Sequence, residues 1–247
     1  NLAAQAGVRY SIDKPGKYID SNIVGFGNLL ESLRIFNVEH FLYASSSSVY
    51  GGATKTPFSE NDNVDKPVSI YAATKKANEL MAYSYSHLYG IPSTGLRFFT
   101  VYGPWGRPDM APMKFTESIL NSNPIKIFNN GEMSRDFTYI DDVIESLTRL
   151  IKKPPEIKHN YNISNKAPHR ILNIGNGNPV KLMKFVEILE KELNIKAKKI
   201  FTEMQLGDVE KTHADISNLV KIIDYTPKTK IEEGIRKFIQ WYKLYKN

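Results

Sequence analysis

The sequence predicts an α/β fold, and three observations carry that expectation. The apolar run Phe41-Leu42-Tyr43-Ala44 has the length of a buried strand, and residues 93–98 and 170–174 repeat the type. Longer stretches carry apolar residues three and four apart, as in Ile23, Phe26, Leu29, Leu30 and Leu33, the period of a helix with one buried face. Finally, the first strand-like run ends in four consecutive serines, Ser45 to Ser48, and a linker later a helical pattern begins.

Composition narrows the function classes. At 247 residues the chain can form one large domain or two small ones, and 41% hydrophobic with 24% charged residues is ordinary for a globular protein. No run approaches the length needed to cross a bilayer, and the first residues lack a signal-peptide layout. The chain has no cysteine, which removes disulfides and thiolate metal sites and is compatible with the cytoplasm. The net charge of +7 comes from lysines scattered over helix faces, thickest in the last third. They form no arm or aromatic-interleaved stripe, so a solvated surface is expected, with neither a nucleic-acid nor a membrane partner. His40, His87, His159, His169 and His213 show no metal-ligand spacing, and no metal site is expected.

In chain order, Asn1-Leu2-Ala3-Ala4-Gln5-Ala6-Gly7 reads like the end of a buried strand running into a small-residue loop. Residues 15–37 form one long amphipathic helix, with Pro15 near its first turn. Residues 40–45 are a strand that delivers the serines. Tyr71 and Lys75 then stand at i and i+4 at the start of a helix over 71–89, on one face and roughly 5–6 Å apart at Cβ. A phenol of ordinary pKa about 10 is a poor base at neutral pH unless something favours its anion, and an ammonium within about 4–6 Å does so. With serine hydroxyls at the neighbouring strand mouth, serine, tyrosine and lysine make a candidate acid/base set for interconverting an alcohol and a ketone.

After the strand at 93–98, residues 124–131 read as a strand and a tight turn. A helix over 139–153 is stopped by Pro154-Pro155. Tyr161-Asn162-Ile163 and residues 170–174 are strand-like, 179–193 is a helix with a clear apolar face, and 231–245 is a structural C-terminal helix. Two Gly-x-Gly pairs were weighed as a phosphate-binding turn. Gly25 and Gly27 lie inside a helical pattern with no strand before them, and Gly175 and Gly177 lack the third glycine, so both fail.

Ser45-Ser46-Ser47-Ser48-Val49-Tyr50-Gly51 followed by Tyr-x-x-x-Lys at Tyr71 and Lys75 resembles the extended short-chain dehydrogenase/reductase family of nucleotide-sugar epimerases and dehydratases. Further matches run in order from Ala3 to Asp208. The resemblance implies a Rossmann-type doubly wound parallel sheet with a smaller α/β substrate-binding lobe, NAD as cofactor and a UDP-sugar as substrate. It implies a partial NAD-binding domain over 1–103 plus 139–175 and a substrate domain over 104–138 plus 176–247. It also implies that a first βαβαβ half, with the glycine turn for the pyrophosphate, would precede residue 1. In this family the helices at 15–37 and 71–89 build a dimer interface, so a homodimer is expected.

The family's roles carry over residue by residue. Ser46, Tyr71 and Lys75 would be catalytic, and Ala3, Ala4, Tyr71 and Lys75 would line the NAD site, with Lys75 lowering the tyrosine pKa and holding the cofactor ribose. Ser47 and Ser48 fall where related dehydratases and decarboxylases carry carboxylates, and serine cannot do their proton transfers. The chain therefore looks built to oxidise and re-reduce without elimination. Thr100-Val101-Tyr102-Gly103-Pro104-Trp105-Gly106-Arg107-Pro108-Asp109-Met110-Ala111 resembles the UDP-glucuronate 4-epimerase branch. Thr100 and Arg107 can grip a carboxylate, and Arg9 could assist. The other reading of Arg107 is a loop ion pair with Asp109. Arg135 would bind the diphosphate, its other reading being a salt bridge to Asp136 or Asp141. Gln205 would contact the phosphates and Asp208 a ribose, although many members have arginine where Gln205 stands. Two alternatives accompany 4-epimerisation of UDP-glucuronate: a UDP-hexose or UDP-N-acetylhexosamine as substrate, or an inactive chain that only binds a UDP-sugar.

Overall fold

The structure, a computed structural model, describes residues 1–156, 167–205 and 207–246. The chain begins with α1 (Val8–Asp13), α2 (Pro15–Tyr18), a π-helical turn (Ile19–Val24) and α3 (Gly25–Ile35). β1 (Phe41–Ser46) leads into a 3₁₀ turn (Ser47–Tyr50), then α4 (Ile70–Tyr89), β2 (Ser93–Phe98), β3 (Thr100–Tyr102) and α5 (Ala111–Leu120). Next come β4 (Ile125–Ile127), β5 (Ser134–Tyr139), α6 (Ile140–Ile151), β6 (His169–Ile174) and β7 (Pro179–Lys181). The chain closes with α7 (Leu182–Leu193), β8 (Lys199–Phe201), α8 (Ser217–Ile223) and α9 (Ile231–Lys246).

β1, β2 and β6 pair in that order, all parallel. A parallel sheet is buried on both faces because its crossover helices cover it. On one face Phe41 and Tyr43 pack with Phe26, Leu30, Ala82 and Ile91. On the other, Leu96, Leu172 and Ile174 pack with Val143, Leu150, Leu219 and Ile223. This is the expected doubly wound layering. Asn1 lies along the free edge of β1, where its carbonyl accepts from the Ala44 N–H at 3.0 Å.

A third core gathers residues from 102–139 and 182–242. Phe137 stacks on Phe185 at 4.6 Å, and Phe185 and Phe238 are fully buried. Each such side chain contributes roughly 1.5–3 kcal/mol of transfer free energy. Two small sheets frame this core: β3–β5–β7, parallel then antiparallel, and the parallel pair β4–β8. The chain leaves the central sheet at Phe99, whose N–H still bonds the Ile174 carbonyl, and Thr100 already pairs with Phe137 of β5. That change of partner puts Thr100 at the junction of the sheets.

Helix ends follow local chemistry. Ser69 caps α4 by accepting from the Ala72 N–H at 3.1 Å, and Gly90, at φ 67°, ends it in a left-handed turn. The expected helix over 15–37 runs without a break from Pro15 to Ile35, but its middle, Ile19–Val24, is π-helical. The π turn at its centre opens the Asn22 carbonyl to the Asn78 side chain, and Asn22 itself bonds Gln5 and Thr74. A wider turn is stable there because the polar groups it displaces find partners. The helix expected from residue 179 starts at Leu182, since Pro179–Lys181 pairs with β5. The expected strand Tyr161-Asn162-Ile163 lies outside the described residues.

Candidate active site

A cleft of about 1030 Å³ opens beside the carboxyl end of β1 and extends over the third core. Crevices outside the carboxyl ends of parallel strands are where α/β sheets bind ligands. Ala4, Arg9, Ser46, Ser47, Ser48, Tyr71, Lys75, Thr100, Arg107, Arg135, Gln205 and Asp208 all line it. Ala3 does not: Leu2 and Ala4 face the cleft, while Ala3 is exposed and its N–H bonds the Asn1 side chain. Successive residues of an extended segment point to opposite sides.

α4 presents Tyr71 and Lys75 to the serines at the end of β1. Ser46 caps the 3₁₀ turn, its Oγ accepting from the Ser48 N–H at 3.1 Å and donating to Ser48 Oγ at 3.1 Å. Burial raises the Tyr71 pKa, while the Ser46 hydroxyl and the Arg107 cation pull it back. Lys75 lines the same wall of the cleft. The residue is 3% exposed, and its ammonium donates to the Ala44 carbonyl at 2.9 Å and stands 5.9 Å from the Tyr71 ring centroid. The helical spacing brings the two Cβ atoms together, but the long lysine stem runs under the phenol to β1. Burial pushes Lys75 down to about 8. The Tyr18 ring, edge-on to Tyr71 at 6.0 Å, completes this wall.

Arg107 and Thr100 face the same space, but Arg107 is already paired. Its Nε donates to Asp109 Oδ1 at 3.0 Å and its Nη2 to Asp109 Oδ2 at 2.5 Å. The loop ion pair weighed from sequence therefore exists, and it coexists with the guanidinium's place in the cleft. Ser47 and Ser48 place hydroxyls, not carboxylates, beside Tyr71's neighbour Ser46.

At the far end Arg9 pairs with Asp208, and Arg135, whose Nη1 donates to the Ser134 and Glu210 carbonyls at 2.9 and 3.0 Å, feels the same carboxylate. Arg9 Nη2 is 3.2 Å from Asp208 Oδ2, and its guanidinium lies 4.9 Å from the centroid of the Phe128 ring. Arg135 is desolvated, which pushes its pKa down, with Asp208 opposing and Arg9 reinforcing. The alternative partner Asp136 turns away, because neighbours in a strand point to opposite faces. Its buried carboxylate accepts from the N–H groups of Asn176, Gly177 and Ala214 at 2.8, 3.0 and 2.9 Å. Those bonds also settle the Gly175-Asn176-Gly177 loop: its amides are committed to Asp136 and offer no phosphate cradle. Gly25 and Gly27 lie in α3. Gln205 Oε1 is buried beside this end without a partner among the described residues.

The residues fit the nicotinamide riboside end of NAD. Lys75 lines the cleft with an ammonium that has three donors, and the bond to Ala44 uses one. Sequence reasoning missed Tyr18, Asn22 and the pair Glu79–Arg97 behind the site. The i+8 position of Glu79 on the Tyr71 face was the available signal.

Fold and cleft together define a nucleotide-dependent enzyme with a tyrosine–lysine–serine site at the end of a parallel sheet. The sequence model of the NAD dependent epimerase/dehydratase family matches residues 1–164, and the chain belongs to that family. It is 55% identical over 251 residues to Protein CapI of Staphylococcus aureus, covering 99% of this chain and 75% of that one. It is 49% identical over 249 residues to the probable UDP-glucuronate 4-epimerase of Rhizobium meliloti (strain 1021), covering 98% and 73%. Among solved structures it resembles UDP-glucuronic acid 4-epimerase from Bacillus cereus in complex with UDP-glucuronic acid and NAD. The TM-score is 0.88 at 32% identity, over 98% of this chain and 74% of that one.

Proposed function

We propose that the protein is an NAD-dependent UDP-sugar 4-epimerase that interconverts UDP-glucuronate and UDP-galacturonate. The observation that carries this reading is the placement of Arg107 and Thr100 in the cleft of Tyr71 and Ser46, where Ser47 and Ser48 supply no carboxylate. A guanidinium offers paired donors that suit an acid group, and a neutral sugar leaves them unpaired. The names of the relatives at about half identity support the same substrate.

NAD, held in part by Lys75, would supply a reversible hydride acceptor for the sugar's C4. Tyr71 removes the proton from the 4-hydroxyl and gives it back, and Ser46 hydrogen-bonds the same oxygen. Lys75 holds the cofactor's ribose from beneath. Arg135 and Gln205 hold the diphosphate while the keto sugar turns its other face, and Asp208 takes a ribose hydroxyl. Arg9, expected at the carboxylate, pairs with Asp208 at this end and joins them on the diphosphate. Oxidation at C4 creates a β-keto acid, which loses carbon dioxide when its carboxylate stands perpendicular to the ring. Thr100 and Arg107 hold that group away from this geometry. The test is to incubate the protein with NAD and UDP-glucuronate, UDP-glucose or UDP-N-acetylglucosamine and separate the products. Conversion of UDP-glucuronate to its 4-epimer is expected; turnover of a neutral sugar alone would replace the substrate, and no turnover would refute the activity.

The same proposal includes two lobes, 1–103 plus 139–175 and 104–138 plus 176–247. α8 crosses over, since Leu219 and Ile223 pack in the sheet core. It also includes a homodimer through α3 and α4, which pack together and expose Ile35, Leu80 and Leu88. Light scattering should give twice the chain mass. We place the enzyme in the cytoplasm, where NAD and UDP-sugars are available; no described helix is long and apolar enough to cross a membrane.

A further inference from the structure

Arg107 owes its pairing to the local chain. The Met110 N–H donates to the Arg107 carbonyl at 3.1 Å, closing a four-residue turn over Pro108 and Asp109. Proline at the second position of such a turn has its φ already set. The turn folds the Asp109 carboxylate back onto the guanidinium fork, with two bonds at 3.0 and 2.5 Å. Gly7 backs the guanidinium: a Cβ there would stand 3.0 Å from Arg107 Nη2. Tyr18 and Tyr71 both feel the cation. The fork next to the reacting phenol thus already holds one carboxylate.

We propose that Asp109 is an internal competitor for Arg107, occupying the fork that a substrate carboxylate takes, and so tempers the affinity for acidic UDP-sugars while leaving neutral ones untouched. This inference rests on the UDP-glucuronate reading of the site. An acidic sugar can exchange with Asp109 one carboxylate for another, leaving Arg107 paired throughout. The displaced side chain turns to water at little cost, because the pair is 41% and 58% exposed and such surface pairs are worth little. A neutral sugar has no group to make that exchange and leaves the ion pair intact, so its affinity does not depend on Asp109.

The test measures binding of UDP-glucuronate and UDP-glucose by calorimetry, with NAD present, to the unaltered chain, Asp109→Asn, Arg107→Ala and the double variant. Removing the competitor should tighten UDP-glucuronate about three- to five-fold, the size of an exposed ion pair, and leave UDP-glucose unchanged. In the Arg107→Ala background, Asp109→Asn should change neither ligand. Weaker UDP-glucuronate binding to Asp109→Asn would mean that Asp109 positions the arginine, and equal tightening of both sugars would mean a general charge effect; either overturns the inference. No change for either sugar overturns it as well. If the unaltered chain binds UDP-glucose but not UDP-glucuronate, the substrate reading itself falls, and the inference with it.

Discussion

The ammonium of Lys75 and the carbonyl oxygen of Ala44 stand 2.9 Å apart, which ties α4 to β1 one residue before the run of serines. One turn further along α4, Glu79 accepts from the next residue, Ser45, at 2.5 Å. It also accepts from Arg97 of β2 at 2.8 and 2.9 Å. Helix and strands are therefore locked in register just behind Ser46 and Tyr71.

That lock is expensive to break from one side. Glu79 and Arg97 are 4% and 3% exposed, so Glu79→Ala leaves a buried guanidinium without its partner. The expected loss is about 3–5 kcal/mol, read as a lower urea midpoint at unchanged m-value. An unchanged midpoint would show that the pair adds nothing to the fold.

Lys75 gives a pH dependence whose sign follows from burial. Its folded pKa of about 8 lies below the ordinary 10.5, so the unfolded chain binds more protons between those values. The stability linked to this group is fully present above about 10.5 and is lost as the pH falls through about 8. Urea unfolding at pH 7.5 and pH 10 should show a gain with pH that is smaller in Lys75→Met. Equal gains in both proteins would contradict the buried ammonium.

Tyr71→Phe removes the proton carrier and leaves the ring. Turnover of UDP-glucuronate should fall by roughly 10²–10⁴, the usual share of general acid–base catalysis. Binding of the sugar should hold within about two-fold, since a hydroxyl's net hydrogen bond is modest. A variant retaining more than a tenth of the rate would move the acid/base role elsewhere.

Arg107→Ala tests the grip on the carboxylate. Hydrogen bonds to a charged group are worth about 1.5–3 kcal/mol, so KM for UDP-glucuronate should rise roughly 10- to 100-fold. Alternatively the freed carboxylate reaches the perpendicular geometry, and a UDP-pentose accumulates alongside the epimer. Neither change would remove Arg107 from the substrate contacts.

Much of this was legible in the chain. β2 ran over the expected residues, α4 began one residue before Tyr71, and Ser46, Tyr71 and Lys75 line one cleft. Local rules sufficed there: Ser69 and Gly90 bracket α4, and apolar runs fix which strand faces are buried. The π turn inside the 15–37 helix was not legible, because it depends on Asn78 and Thr74, more than fifty residues away in sequence.

The sequence by itself determined the elements, the serine–tyrosine–lysine set and the missing carboxylates at Ser47 and Ser48, since these follow from residue type and short-range spacing. Tertiary structure alone decided the partners: Lys75 reaches the Ala44 carbonyl; Asp136 turns from Arg135 to three backbone amides; Asp208 meets Arg9 across 199 positions. The physical reason is that a charged side chain near a buried site goes to whichever donor or acceptor the packed core leaves within reach. That choice is made among residues distant in the chain.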